Sequence, residues 1–477
     1  MRDRRGFKVL RKDYIFRRQW LERRSHYTIS YEKCQLCLAK MKKCGILVME
    51  GHHEYVDLSC PSQGLKVTGM QNLLQVLRKK EVLSLCFTVL VADFVLGIVW
   101  PTFSLYATSL GASLTLIGAL SAVVGLTRIL SSVPIGVLSD TMGRKNILVA
   151  GTLLFAASSF LYTVVPNPYF LFPVQVLSSW AMLATFFMGM AYLGDIVASH
   201  ERGLAIGLYT TSLGLGFAAG PVVGGAVAAT YGYRASYRVA AVVALMGFVV
   251  ASRGLVNRPM GQGGAVTSEG SASPSDMSLS VKLGAALKKT NLLAASVASL
   301  VMSAVFSGAI TNFFPLYAAS LSLSEATIGS MLSVRTLIST LVRLPTGMLA
   351  TRFSSKGPLV TALALATIAV VSISYTTIPV ALVVFLAIEG IAWGMFVTSG
   401  QTFVMQQSSE SDRGIAIGIW SMAGSIGSTV GPFVLGLIAE WWGIATVFRA
   451  TGAMVLVGIV VLWYVSLRQR PVLLSGA

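Results

Sequence analysis

Twelve stretches between residues 81 and 467 are apolar for long enough to cross a bilayer, and no soluble core can hold them all. A membrane-spanning helix needs about 20 apolar residues at 1.5 Å rise per residue. Runs of that kind occupy 81–107, 114–137, 147–165, 170–196, 204–229, 237–256, 291–318, 326–350, 358–376, 380–407, 414–439 and 446–467, with polar breaks between them. Composition agrees, since 54% of the 477 residues are hydrophobic, only 12% are charged and mean hydropathy is +0.72. An ordinary soluble domain is roughly a quarter charged. The pattern predicts an all-α membrane protein with twelve transmembrane helices.

The net charge of +18 would suggest nucleic acid in a soluble chain, so the placement of the basic residues decides its meaning. Arg78, Arg144, Lys145, Arg202, Lys289, Arg352, Lys356, Arg413 and Arg468 all fall on one side of the twelve spans, whereas the opposite loops hold Arg234 alone. That bias marks the cytoplasmic side. Both termini are expected to be cytoplasmic, the chain to be multi-pass in the cell (plasma) membrane, and nucleic acid not to be a partner.

Residues 1–69 are polar and arginine-rich, without a span or the apolar core of a signal peptide. Cys34, Cys37, Cys44, His52, His53 and Cys60 offer metal-binding chemistry, but the second tight cysteine pair of a zinc ribbon is missing. No metal site is expected, and a true start at Met70 is the favoured account of this extension. A disulfide framework does not suit a segment facing the reducing cytosol. Residues 259–280 are crowded with Gly, Ser and Pro and read as a flexible linker. The expected organisation is an extension (1–69), a six-helix bundle (70–256), a cytoplasmic linker (257–290) and a second six-helix bundle (291–477).

The two halves repeat at a constant spacing of 211 residues. Leu105-Tyr106-Ala107 meets Leu316-Tyr317-Ala318, Ile117-Gly118 meets Ile328-Gly329, Pro134 meets Pro345, Arg202-Gly203 meets Arg413-Gly414, and Gly220-Pro221 meets Gly431-Pro432. Six spans per repeat leave both copies in the same orientation, with a central site between them.

Between the second and third spans stands Gly136-Val-Leu-Ser-Asp140-Thr-Met-Gly143-Arg144-Lys145. Gly136 permits close packing, Gly143 permits a tight turn, and Asp140 and Arg144 are charges placed to pair at the membrane edge. The stretch resembles the signature loop of the major facilitator superfamily, and the resemblance covers residues 80–470. It implies a loop that latches a cytoplasmic gate against the start of the eleventh helix, here Arg413-Gly414, where the helix dipole favours an acid. A purely topological role for Arg144 and Lys145 stands beside that reading. In the second copy Asp140 becomes Thr351, Arg144 becomes Ser355, and Asp195 at the end of the fourth span becomes Gln406. Acid and arginine disappear together, which predicts a pair between Arg144 and Asp195. Gly216, Gly220, Pro221 and Gly224 in the fifth span resemble the glycine-proline motif of the family's antiporter branch, and close helix packing accounts for them equally.

Ionisable residues inside spans point to function, because a charge at mid-membrane is tolerated only toward a cavity or a partner. Asp93 and Arg128 lie at matching depth, about 18 Å from the cytoplasmic edge at helical rise, and are expected to be neighbours. Arg335 and Glu389 are placed to pair in the second half. Shifted by the repeat, Arg335 and Arg343 flank Arg128 by four residues on either side, so the three arginines share one helical face, which is expected to line the cavity. Trp100, Tyr106, Trp180, Tyr192, Trp393 and Trp420 either contact a flat solute or fill helix contacts. Asp93 with Gly97 and Pro101 resembles the acidic first-span motif of twelve-helix drug:proton antiporters, although the fourth span from Gln175 to Ala184 lacks the arginine those antiporters usually carry.

The spans show no nucleophile with its base, and no Gly-x-x-x-x-Gly-Lys-Ser/Thr loop occurs. An enzyme and an ATP-driven pump are not expected, and no cofactor is implied. The resemblance implies a monomeric secondary transporter in the lipid bilayer that binds a small-molecule substrate and protons and works by alternating access. Proton-coupled export of small amphipathic compounds is the first reading. A carrier of organic anions or polar metabolites is the second, and a non-transporting membrane sensor is the alternative from another class.

Overall fold

The computed structural model describes residues 79–198, 201–257, 289–352, 355–408 and 412–468, without the side chains of Asp140, Arg202, 351–352 and 465–468. The cysteines and histidines of the extension and the linker from 258 to 288 lie outside the described residues.

Every described element is helical. The long helices are α1 (Lys80–Ser109), α2 (Leu114–Met142), α3 (Arg144–Val164), α4 (Pro168–Ile196), α5 (Arg202–Tyr231) and α6 (Tyr233–Gly254). They continue with α7 (Thr290–Ser320), α8 (Glu325–Arg352), α9 (Lys356–Ile373), α10 (Pro379–Gln406), α11 (Arg413–Trp442) and α12 (Ile444–Arg468). Eleven of these are long and apolar enough to cross a membrane. The exception is α8, whose 28 residues include Glu325, Arg335, Arg343 and Arg352. Its length suffices for a crossing, and its charges lower its hydropathy.

Local chemistry sets the helix ends. Ser113 caps α2 by accepting from the Leu116 amide, and Asn167 does the same for Tyr169 at the start of α4. Pro168 and Pro379 open α4 and α10 at equivalent repeat positions, where a missing N–H carries no penalty. Gly143, at φ +84°, lets α2 turn directly into α3.

The repeat is visible in contacts. Gly118 of α2 abuts the Pro432 carbonyl of α11, and its equivalent Gly329 of α8 abuts the Pro221 carbonyl of α5. Gly216 packs on the Leu90 carbonyl and its equivalent Gly427 on the Leu300 carbonyl. That second pair shows a slip, because Leu90 and Leu300 are 210 residues apart whereas Tyr106 and Tyr317 are 211 apart. Between them, Val305–Phe313 of α7 is wound as a π-helix, the one-residue insertion that restores register. The 211 spacing therefore holds from Leu105 onward and not before it.

The loops before α3, α5, α9 and α11 mark one end of the molecule, the basic end. Toward the other end the two chain halves are closed on each other. Tyr233 donates to Glu325 at 2.8 Å, the Thr115 amide donates to Glu440 at 3.1 Å, and Ser121 donates to Asn312 at 2.8 Å. Further toward the basic end, Gly214 of α5 packs against Thr340 of α8.

A candidate substrate and coupling site

Two neighbouring chambers lie between the halves. The larger, about 260 Å³, is lined by Asp93 and Trp100 of α1, Phe217 of α5, Phe306 of α7, Arg335, Ser339, Thr340 and Arg343 of α8, and Trp393 of α10. The smaller, about 90 Å³, is lined by Trp100 and Phe103 of α1, Ser121 and Arg128 of α2, Gln175 of α4, and Phe306 and Asn312 of α7. Trp100 and Phe306 belong to both, with ring centroids 6.2 Å apart.

An aromatic ribbon crosses from one half to the other. Phe217 meets Trp100 edge-on at 5.6 Å, Phe306 stacks on Trp393 at 4.4 Å and 14°, Trp393 meets Phe396 at 5.8 Å, and Phe396 stacks on Trp420 at 6.0 Å. The Arg335 guanidinium caps the ribbon, 5.0 Å above the Phe306 ring, a favourable placement for a cation over a π face. Such a surface takes flat apolar or cationic groups. The π-helical turn of α7 carries Phe306 into both chambers, and a second π-helical turn, Leu183–Phe187 of α4, borders the larger one through Phe186. Irregular turns of this kind recur at functional sites.

The charges divide into satisfied and available groups. Arg335 and Glu389 are 3% and 0% exposed. They form a two-toothed pair, with Arg335 Nη2 donating to Glu389 Oε1 at 2.9 Å and Nε donating to Oε2. Gly390 allows this by letting α10 approach the Arg335 backbone. Arg343, two turns further along α8, lines the larger chamber together with Asp93. No ion pair joins them among the described residues, and Arg343 Nε is buried without a hydrogen-bond partner. Arg128 lines the smaller chamber instead. The expected neighbourhood of Asp93 and Arg128 is thus corrected: they line different chambers, and the arginines that share a chamber with Asp93 come from α8 rather than α2.

At the basic end Arg144 donates to Asp195 at 2.5 Å and to the Ala191 carbonyl at 3.1 Å. At the equivalent place in the second half, Ser355 donates to Gln406, so a neutral hydrogen bond replaces the ion pair. Arg413 opens α11 at this end, beside Asp412, which is paired with Lys289 at 3.2 Å. Gly216, Gly220 and Gly224 of α5 press on Leu90, Gly97 and Ile98 of α1, while Pro221 offers its carbonyl to Gly329 across the halves.

The profile of the Major Facilitator Superfamily matches residues 85–324 and 296–476. The chain belongs to the major facilitator superfamily. An uncharacterized MFS-type transporter of Methanocaldococcus jannaschii, MJ1560, is 21% identical over 80% of this chain and 97% of that protein. The quinolone resistance protein NorA of Staphylococcus aureus is 28% identical over 36% of this chain and 44% of its own length. Among solved structures, a bacterial homolog of the human lysosomal transporter Spinster, in an inward-facing and occupied conformation, aligns with a TM-score of 0.69. That alignment is 13% identical and covers 81% of this chain and 96% of that one.

Of the aromatic residues singled out in the sequence, Trp100 and Trp393 line this facilitator's larger chamber. Tyr106 is core and donates to the Tyr162 carbonyl, Tyr192 donates to the Val256 carbonyl, and Trp180 lies on an outer cleft bonded to Ser131. Sequence reasoning missed Phe306, Asn312 and Gln175. The run Phe306-Ser-Gly-Ala-Ile-Thr-Asn312 was the available signal, since three polar residues in seven are unusual within an apolar span.

Proposed function

We propose that this facilitator is a proton-coupled exporter of small amphipathic compounds, with twelve spans in two six-helix bundles and the basic end in the cytoplasm. The observation that carries the reading is Asp93 and Arg343 sharing one chamber from opposite halves without an ion pair. A carboxylate whose arginine partner belongs to the other half changes its proton affinity as the halves rock, and coupling needs such a change. The ribbon beside it suits amphipathic cargo, and the similarity to NorA over part of the chain supports export. With contacts between the halves concentrated away from the basic end, the state described is taken as open toward the cytoplasm. Asp140, Arg144, Asp195 and Arg413 then serve as the gate that closes in the opposite state.

A carrier of organic anions is the second reading, favoured by Arg128 and Arg343, two guanidinium groups without an ion pair among the described residues. Reconstituted vesicles decide between them. Uptake of a panel of amphipathic cations, anions and neutral compounds is measured with and without a pH gradient. Gradient-driven accumulation of amphipathic compounds is expected, and gradient-independent exchange of anions alone would replace the first reading with the second.

A further inference from the structure

The smaller chamber presents unused N–H donors and no carboxylate to meet them. Its hydroxyl hydrogens are committed: Ser121 donates to Asn312 Oδ1 at 2.8 Å, Ser307 to the Ser428 carbonyl at 3.3 Å, Thr311 to the Phe306 carbonyl at 2.7 Å, and Ser428 to the Ser425 carbonyl at 3.0 Å. Asn312 Nδ2 donates to the Ser307 carbonyl, and Gln175 Oε1 accepts from the Tyr162 hydroxyl at 2.9 Å. Two nitrogen groups of the lining make no hydrogen bond among the described residues: the guanidinium of Arg128 and Nε2 of Gln175. Gln175 is 7% exposed, and no carboxylate is among the residues lining the chamber.

A guanidinium in a low-dielectric chamber is costly unless an anion meets it, and its planar fork matches a carboxylate. We propose that Arg128 and Gln175 form a subsite for the carboxylate of an aromatic monocarboxylate, whose ring runs alongside Trp100 and Phe306, the two aromatic residues common to both chambers, toward the larger one. Size supports this division. About 90 Å³ admits a head group, while the 260 Å³ chamber beyond the two rings has room for the body. Gln175 is held in place by Tyr162, itself fully buried, so the amide is oriented before the ligand arrives. The subsite deepens the transport reading, on which it relies only for the claim that the bound anion is cargo.

The test is binding to the full chain in lipid nanodiscs, read by quenching of tryptophan fluorescence, with 2-naphthoate and 2-naphthamide as probes. They share the ring and differ in the charged head. The intact protein is expected to bind 2-naphthoate at least about tenfold more tightly, the scale of one hydrogen bond to a charged group. Arg128→Gln is expected to bring 2-naphthoate down to the affinity of 2-naphthamide without changing the latter, which also shows that the variant is folded. Gln175→Leu is expected to reduce the preference partway. Equal affinity for both probes in the intact protein, or a preference that survives Arg128→Gln, overturns the subsite. Should Arg128→Gln bind neither probe, Gln175→Leu decides, and an unchanged preference there also overturns it. Selective binding without 2-naphthoate counterflow in vesicles refutes transport and leaves the subsite standing, whereas counterflow without selectivity does the reverse.

Discussion

Asp93 of α1 and Arg343 of α8 face the same chamber from opposite halves of the chain, and no ion pair closes the gap between them. If the halves rock about this chamber, their separation changes with every cycle. Asp93→Asn is therefore expected to abolish accumulation driven by a pH gradient while leaving exchange without a gradient near its original rate. Proteoliposome flux under the two conditions measures this. Undiminished gradient-driven uptake would remove Asp93 from coupling.

Arg335 and Glu389 are close by but behave differently, since each fully neutralises the other out of water. Removing one partner of a buried pair strands a charge and costs about 3–5 kcal/mol, whereas replacing both with apolar residues is often neutral. Arg335→Leu and Glu389→Leu are each expected to lower the melting temperature in detergent strongly, and the double variant to recover most of the loss. A double variant as unstable as the sum of the singles would show that the charges serve something beyond each other.

What the sequence revealed and what it hid divide along a physical line. Depth along a helix follows from a fixed rise per residue, so the pairing of Arg335 with Glu389 was legible. The neighbour across the chamber depends on how two halves pack, which no periodicity encodes, and so Arg343 in place of Arg128 was not. The π-helical turn of α7 was hidden for a related reason. One extra residue among nine leaves the span long and apolar enough to read as a single helix, and it became visible only when Leu300 took the place expected of Val301 against Gly427.

Two equivalent glycines, Gly118 and Gly329, lie in the seam between the halves. A side chain on Gly118 or on Gly329 meets a proline carbonyl of the opposing helix, in a packed region that cannot yield without moving the helices apart. Gly118→Ala and Gly329→Ala are each expected to shift the population toward the state in which this seam is open, and by similar amounts because the contacts are equivalent. Spin labels at Ser109 and Ile378, at the end opposite the basic one, report the shift as a longer-distance population. An unaltered distance distribution in both variants would mean that the seam does not part during the cycle.

The last prediction uses the molecule's own second half as its control. Arg144 and Asp195 form an ion pair where the repeat has Ser355 and Gln406 in a neutral hydrogen bond. Both side chains of the ion pair are about one-fifth to one-quarter exposed, so the pair is partly desolvated and a stranded partner is penalised. Arg144→Ser and Asp195→Gln alone each leave such a partner and are expected to reduce the yield of folded protein. The combined Arg144→Ser, Asp195→Gln variant copies a pairing that this fold already accepts and is expected to restore the yield. Turnover is a separate matter. If Arg144 also latches the gate in the state not described here, the combined variant folds and binds substrate with unchanged affinity, yet transports several-fold more slowly, because one state of the cycle has lost its stabilising contact. Yield, binding and initial transport rate are measured on the same preparations. A combined variant that folds and transports at the original rate would confine Arg144 to holding α3 against α4.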